Sequence, residues 1–118
     1  MLKLDDFVYS QSVEHGDTGK AYEVINLNLV DDLNDGVVIY HDLDTGIYSD
    51  DGYADFQLTG YDNESQTVLQ YFAKRYGCKL VNKEIQIKDD QLDAVSRLVQ
   101  AVLGVYTWLD VQRNLKIS

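Results

Sequence analysis

A chain of 118 residues, with 45% apolar and 25% charged residues, has the composition of one globular domain and is far from that of a disordered protein. Its formal net charge of −10 at pH 7 argues against binding DNA, RNA or an anionic membrane through a basic surface. The single cysteine, Cys78, excludes an intramolecular disulfide and a cysteine-based zinc site. We predict one domain over residues 1–118 and no cofactor.

Period-two alternation predicts strands in the first half of the chain. In AYEVINLNLV, residues 21–30, the apolar residues Ile25, Leu27 and Leu29 alternate with asparagines, as in a half-buried strand. DDLNDG and DTG supply turn chemistry on either side of VVIYHDL, which predicts consecutive hairpins. We interpret YADFQLT as another short strand, and FVYSQSVE as either an edge strand or part of a helix.

Helical spacing begins after residue 62. NESQTVLQYFAKRYG predicts a helix capped by Asn63 or Ser65 and ended by Gly77, and CKLVNKEIQI predicts a short extended segment. A longer helix over DDQLDAVSRLVQAVLGVYTWLDVQR opens at Asp89 and Asp90, whose charges suit the positive end of the helix dipole. Its apolar stripe comprises Leu92, Val95, Leu98, Val99, Val102, Val105, Tyr106 and Leu109. The predicted fold is α+β: an antiparallel meander of about four strands, followed by two helices packed on one face of the sheet.

Neither an export signal nor a membrane span is predicted. The opening MLKLDDFVYS has acids where a signal peptide needs a basic and then an apolar region. The longest apolar stretch, LVQAVLGVYTWL, is shorter than the ~20 residues that a span requires. We therefore expect a soluble, cytoplasmic protein.

The negative charge is concentrated in one segment. Between Lys20 and Lys74 there are eleven acidic residues and no Lys or Arg, whereas the rest of the chain has nine acidic and ten basic residues. Tyrosines follow the same segment, and tyrosine with carboxylate suits the binding of cationic proteins. The predicted partner-binding residues are Asp31, Asp32, Asp35, Asp42, Asp44, Asp50, Asp51, Asp55, Tyr40, Tyr48 and Tyr53.

The phrase GIYSDDGY is followed by a short strand, a helix ending in YG, an extended KLVNKEI and a long apolar helix. In this order, residues 24–109 resemble domain-of-unknown-function family 1828, found in bacteria and their phages. A Ser/Thr-Asp-Asp-Gly element closes a hairpin in that family, and Ser49, Asp50, Asp51 and Gly52 match it here. The resemblance implies an α+β fold and a phage or prophage setting, and it implies no catalytic residue.

The acidic segment does not fit a calcium loop. A loop read from Asp31 has Leu33 at a ligand position, and one read from Asp42 has Ile47 where the sharp turn requires glycine. Solvated turn acids explain the segment better, and no metal site is predicted.

Residues for catalysis are also few. Only His15 and His41 could serve as bases, and the aspartates around His41 favour its protonated form, which is a poor base. Cys78 begins an apolar segment, which favours a buried, unreactive thiol. The carboxylate pairs have no basic residue nearby to hold a charged substrate. We predict that the protein is not an enzyme.

The charge pattern favours a protein that binds other proteins. Carboxylates two residues apart on a strand lie roughly 6–7 Å apart, of the same order as phosphates along a nucleic-acid strand. We therefore predict a phage or prophage protein whose Asp/Tyr-rich sheet surface binds and inhibits a basic nucleic-acid-binding protein, such as a nuclease. This would be a DNA mimic of the anti-restriction or anti-CRISPR type, without direct contact with nucleic acid or membrane.

Two alternatives remain open. The first is a structural or adaptor domain that forms a homodimer through the C-terminal helix, with Trp108 at its seam. The second is a metal-dependent hydrolase built on Asp50, Asp51 and His41.

Overall fold

The computed structural model describes residues 8–15, 21–30 and 36–117, with the side chains of residues 21–27 and 37–115. Its elements are β1 (Val8–His15), β2 (Ala21–Val30), β3 (Gly36–Asp42), β4 (Ile47–Ser49), α1 (Tyr53–Gln57), α2 (Ser65–Arg75), β5 (Lys79–Val81), β6 (Glu84–Lys88) and α3 (Ala94–Ile117). The strands form an antiparallel sheet in the order β1-β2-β3-β4-β6-β5. The predicted α+β class is confirmed.

The first four strands form the predicted meander. β2 spans Ala21–Val30, as its alternation predicts, and the opening FVYSQSVE contributes an edge strand. In the β2–β3 pair, Ile25 lies opposite Ile39 and Leu27 lies opposite Val37. All four side chains are buried, so this register places one continuous apolar surface on one face of the sheet.

The segment CKLVNKEIQI was predicted to be a single extended stretch. It forms instead a hairpin of β5 and β6. Asn82 and Lys83 form its two-residue turn, with φ of 49° and 69°. This left-handed conformation is typical of tight hairpin turns. Because β6 rather than β5 pairs with β4, the hairpin extends the sheet to six described strands but departs from meander order.

The segment YADFQLT is not a strand. Tyr53–Gln57 forms the short helix α1, which follows the Ser-Asp-Asp-Gly turn. The Asp50 carboxylate accepts hydrogen bonds from the backbone N–H groups of Gly52 and Ala54, both at 3.0 Å. These bonds satisfy donors at the start of the helix, so the turn directs the chain into a helix.

Helices α2 and α3 occupy the predicted regions with different starts. Glu64 holds the N-cap position of α2 without a side-chain cap bond. Helix α3 starts at Ala94 rather than at Asp89, because the backbone N–H of Asp89 donates to Gly46 and Asp93 has a φ of 56°. The predicted stripe on α3 is buried or half-buried from Val95 to Leu109, whereas Leu92 precedes the helix and is 76% exposed.

The core lies between the helices and one face of the sheet. Helical residues such as Leu69, Leu98 and Val102 pack with strand residues such as Ile39 and Ile85 in one cluster. In the part of the chain that the structure describes, the helices all pack on this face. The opposite side of the sheet, called the open face below, carries no described helix. Its side chains range from the buried Val24 and Ser49 to the exposed Lys79 and Lys88. No helix among the described residues is both long and apolar enough to span a membrane.

Candidate functional site

Strand pairing fixes which side chains share the open face. One row across the sheet runs through Tyr22, Asp42, Ile47 and Lys88, each paired with the next. A second row runs through Val24, Tyr40, Ser49, Gln86 and Lys79. Because alternate residues of a strand face opposite sides, these rows lie on the side away from the core.

The open face contains a groove of about 310 Å³ with a strongly acidic lining. Its carboxylates come from the end of β3, the turn after β4 and the start of β6. The residues that line this acidic groove are Tyr22, Tyr40, Asp42, Thr45, Ile47, Ser49, Asp51, Glu84 and Gln86. Among the described residues no Lys, Arg or His lines it, so the charge of its described lining is negative.

Hydrogen bonds order one wall of the acidic groove. The Ser49 hydroxyl donates to Glu84 Oε1 at 2.6 Å and accepts from the backbone N–H of Asp51 at 2.9 Å. Burial and the neighbouring Glu84 carboxylate raise the pKa of Asp51. Two carboxylates held this close repel each other, and a cation between them would relieve the repulsion.

At the other end of the acidic groove, Asp42 orders the β3–β4 turn. Its Oδ1 accepts hydrogen bonds from the backbone N–H groups of Asp44 and Thr45, at 2.9 and 3.2 Å. Such an Asx turn fixes the carboxylate at the groove rim. Asp44 itself is exposed in the turn and does not line the groove.

Asp50 does not belong to the acidic surface, contrary to the prediction. It is 2% exposed, and its carboxylate accepts backbone N–H bonds from Gly52, Ala54 and Ile85, each at 3.0 Å. Burial raises its pKa, against the opposing effect of the three N–H donors, and Glu84 raises it further. Asp50 joins β4, α1 and β6, so its role is structural.

The other predicted partner-binding residues are divided. Tyr48 and Tyr53 pack against the core on the helix side, and Asp55 is half-buried on α1. Of the predicted set, Tyr40, Asp42 and Asp51 share the acidic groove. Asp31, Asp32 and Asp35 lie outside the described residues.

Tyr22, Ser49 and Glu84 were missing from the predicted set. Glu84 lies outside the acidic segment, and it reaches the groove only because CKLVNKEIQI folds into a hairpin. Recognition of Asn82-Lys83 as a turn would have placed Glu84 two residues from Gln86 on the same face. Tyr22 follows from the β2 alternation, since it has the same parity as Val24 and Asn26.

His41 lies on the helix side, in a clamp between two carboxylates. Its Nδ1 is 3.2 Å from Glu23 Oε1, its Nε2 is 2.9 Å from Asp89 Oδ2, and its ring stacks on Tyr48 at 4.1 Å. Each ring nitrogen of His41 therefore faces a carboxylate oxygen. Burial raises the pKa of Tyr48, and the negative charges of Glu23 and Asp89 raise it further.

This placement does not favour the alternative hydrolase. His41 is on the helix side and Asp51 on the open face, so the sheet separates the residues proposed for it. Among the described residues, no group of three His, Cys, Asp or Glu side chains could hold a metal ion. Burial raises the pKa of the Cys78 thiol to about 11, against the lowering effect of Arg97, so the thiolate nucleophile is scarce at neutral pH.

No family model, characterised protein or solved structure that was compared with this chain matches it. The resemblance to domain-of-unknown-function family 1828 therefore stays a prediction.

Proposed function

We propose that the protein binds a basic protein through the acidic groove of its open face. The observation that carries this proposal is the convergence of Asp42, Asp51 and Glu84, from three separate elements, on one groove. Tyr22 and Tyr40 line the same groove, and their rings offer aromatic contact to Lys or Arg side chains. Such a surface combines ion pairing with the aromatic residues that are common at binding hot spots.

We propose further that the partner is a nucleic-acid-binding protein that this binding inhibits. Proteins of that class present clustered Lys and Arg, which normally hold phosphates. The acidic groove offers carboxylates to the same side chains, and the net charge of −10 accelerates encounter with a positive surface. A phage or prophage origin would fit such an inhibitor.

The proposal is tested with a variant that removes charge and keeps the hydrogen-bond acceptors. Asp42→Asn, Asp51→Asn and Glu84→Gln together neutralise the groove, and asparagine tolerates the positive φ of 57° at residue 51. The matched control, Asp62→Asn, Glu64→Gln and Asp110→Asn, removes the same charge from exposed positions outside the groove.

Each protein is immobilised and exposed to host lysate, and the retained proteins are identified by mass spectrometry. We expect the wild type and the control to retain the same basic protein, the groove variant to lose it, and retention to fall steeply with salt. The nucleic-acid-binding activity of the retained basic protein is then assayed in the presence of each variant. Equal retention by all three proteins, or retention that is insensitive to salt, would contradict the proposal.

A second candidate function is self-association through the C-terminal part of α3. Val111 and Leu115 lie four residues apart, so they share one side of the helix, and they are 46% and 64% exposed. Trp108, on the same side, is half-buried and meets Tyr61 edge-to-face at 5.3 Å. An exposed apolar stripe of this kind is a typical helix–helix interface.

Light scattering at two concentrations tests this candidate. Trp108→Ala would also disturb the contact with Tyr61 inside the monomer, so Val111→Ser with Leu115→Ser is the sharper variant. Leu92→Ser, at an apolar residue that is 76% exposed outside α3, is the matched control. Self-association predicts a dimer that only the α3 variant disperses, and a wild type that is monomeric at both concentrations would exclude it.

A further inference from the structure

Beside the acidic groove, the open face contains a second pocket of opposite charge. Its volume is about 380 Å³, and it shares Ile47 and Gln86 with the acidic groove as a common wall. The residues that line this cationic pocket are Ile47, Gly77, Lys79, Val81, Gln86, Ile87, Lys88 and Gln91. No carboxylate is among these described lining residues, although the chain has twenty acidic and only ten basic residues.

The sheet places the two lysines of the pocket side by side. Lys79 pairs with Gln86 on β6, and Lys88 is two residues further along that strand. Residues i and i+2 of a strand face the same side, so both ammonium groups lie on the open face. Both side chains are exposed, and neither is within ion-pair distance of a described carboxylate.

A third cation, Arg97, lies next to Gly77 but is not itself a lining residue of the cationic pocket. Arg97 Nη1, on α3, is 3.3 Å from the position that a Cβ on Gly77 would occupy. Gly77 has a φ of +73° and no side chain, so the guanidinium lies directly against the pocket lining. Arg97 also has no ion pair with a described acid.

We infer that the cationic pocket binds a small organic anion with an oxyanion head and an apolar body. The two lysine ammonium groups would hold the head. The side-chain amides of Gln86 and Gln91 each have a second N–H to offer, beside the one that donates to Glu84 or Asp90. Ile47, Val81 and the methylene stems of the lysines supply apolar surface for the body. The volume lies within the range of about 300–1,000 Å³ that is typical of small-molecule sites.

Amide chemical shifts of the full chain, followed at constant ionic strength, test this inference. The probes are benzoate, phenyl phosphate, inorganic phosphate and the uncharged benzyl alcohol. We expect saturable shifts at Gln86, Lys88 and Gln91 with the two aromatic anions, and none with benzyl alcohol. The tighter of the two anions identifies the preferred head as carboxylate or phosphate. Inorganic phosphate that binds as tightly as phenyl phosphate would overturn the assignment to an organic anion.

Two matched variants locate the site. Lys79→Gln with Lys88→Gln should weaken binding of the better anion by at least about tenfold, the effect of losing roughly 1.4 kcal/mol of charge-assisted contact. Lys74→Gln with Lys83→Gln removes two exposed lysines outside the pocket and should leave binding unchanged. Equal weakening by both pairs would show a general charge effect and overturn the inference. The groove variant described above leaves all of these lysines in place, so the proposed function and this inference can fail separately.

Discussion

Asp50 is a buried carboxylate whose role is structural rather than one in binding. We predict that Asp50→Ala lowers the free energy of unfolding by about 3–5 kcal/mol, because three N–H groups lose their acceptor in a buried place. Asp50→Asn keeps one acceptor oxygen and should lose less. Urea denaturation measures both, with Asp44→Ala as an exposed control that should stay within about 0.5 kcal/mol of the wild type. A similar small loss for Asp50→Ala would contradict the structural role.

The protonation of Asp50 gives a second prediction at this scale. Its pKa is raised in the folded protein, chiefly by burial, so the folded state binds the proton more tightly than the unfolded state. The stability from this proton is fully present below the unfolded pKa of about 3.9 and is lost as the pH rises through the folded pKa. The unfolding free energy of the wild type, minus that of Asp50→Asn, should therefore fall as the pH rises from about 4. A difference that grows with pH would show that the three N–H donors outweigh burial.

Among the elements, the β3–β4 turn depends on Gly46. This residue has a φ of +73°, and a Cβ there would lie 2.8 Å from Asp89 Oδ1. The carboxylate could move aside only by giving up its 2.9 Å contact with His41. We predict that Gly46→Ala costs about 2–3 kcal/mol, of which roughly 1 kcal/mol is backbone strain.

Gly60→Ala is the matched control for Gly46→Ala. Gly60 has a φ of +98° with nothing within 4 Å of a Cβ, so alanine there adds strain without a clash. Denaturant unfolding should show a smaller loss at Gly60, and Asp89→Ala should reduce the cost of Gly46→Ala to a similar level. Equal losses at the two glycines in the wild-type background would refute the clash.

The packing of α2 on α3 depends on a glycine in a regular helix. A Cβ on Gly104 would lie 2.4 Å from Phe72 Cδ1, so the ring fits only against a bare backbone. Helix propensity alone predicts that Gly104→Ala stabilises by roughly 0.5–1 kcal/mol. We predict the opposite sign, a loss of about 1–3 kcal/mol by overpacking. Thermal unfolding measures the sign, and Phe72→Leu should recover part of the loss; a stabilised Gly104→Ala would refute the close packing.

Periodicity predicted the elements whose side chains face two clearly different environments. In β2 and α3 one face is buried and the other is exposed, so the spacing of apolar residues in the sequence shows the type of element directly. The errors lie where one contact decides the path of the chain. Asp50 directs YADFQLT into α1, and Asn82-Lys83 turns CKLVNKEIQI into a hairpin without the usual glycine. No local pattern shows a hydrogen bond to Ile85, which is thirty-five residues away.

At the scale of the whole molecule, the acidic groove and the cationic pocket are two surfaces of opposite charge. Residues from distant parts of the sequence come together in each of them. Charge counting predicted an acidic surface, and alternation placed Asp42 and Tyr40 on it. These two patterns could not show that the Asp50 side chain is buried, or that Glu84, on a later strand, lines the acidic groove. The cationic pocket could not be predicted for the same reason, because Lys79 and Lys88 come together only through the pairing of β5 with β6. Their separation from the acidic groove by Ile47 and Gln86 divides the open face into two regions of opposite charge.

This arrangement predicts that the acidic groove lowers the stability of the free protein. Asp51 and Glu84 repel each other there, and the raised pKa of Asp51, caused by burial and then by Glu84, is one sign of this repulsion. The groove variant, Asp42→Asn, Asp51→Asn and Glu84→Gln, should therefore unfold at higher urea than the wild type. The control variant, with Asp62→Asn, Glu64→Gln and Asp110→Asn, should gain less, because its carboxylates are exposed and well screened.

Salt provides the test of that prediction. Between about 0.01 and 0.15 M sodium chloride the screening length falls from roughly 30 to 8 Å, which weakens repulsion among the groove acids. The wild type should gain stability over this range, and the groove variant should gain less than the control. If both variants respond to salt equally, the acids of the groove act as scattered charges rather than as one site. If the acids instead form one binding surface for a cation, they should lower the stability of the free protein, and binding of a basic partner should restore that stability.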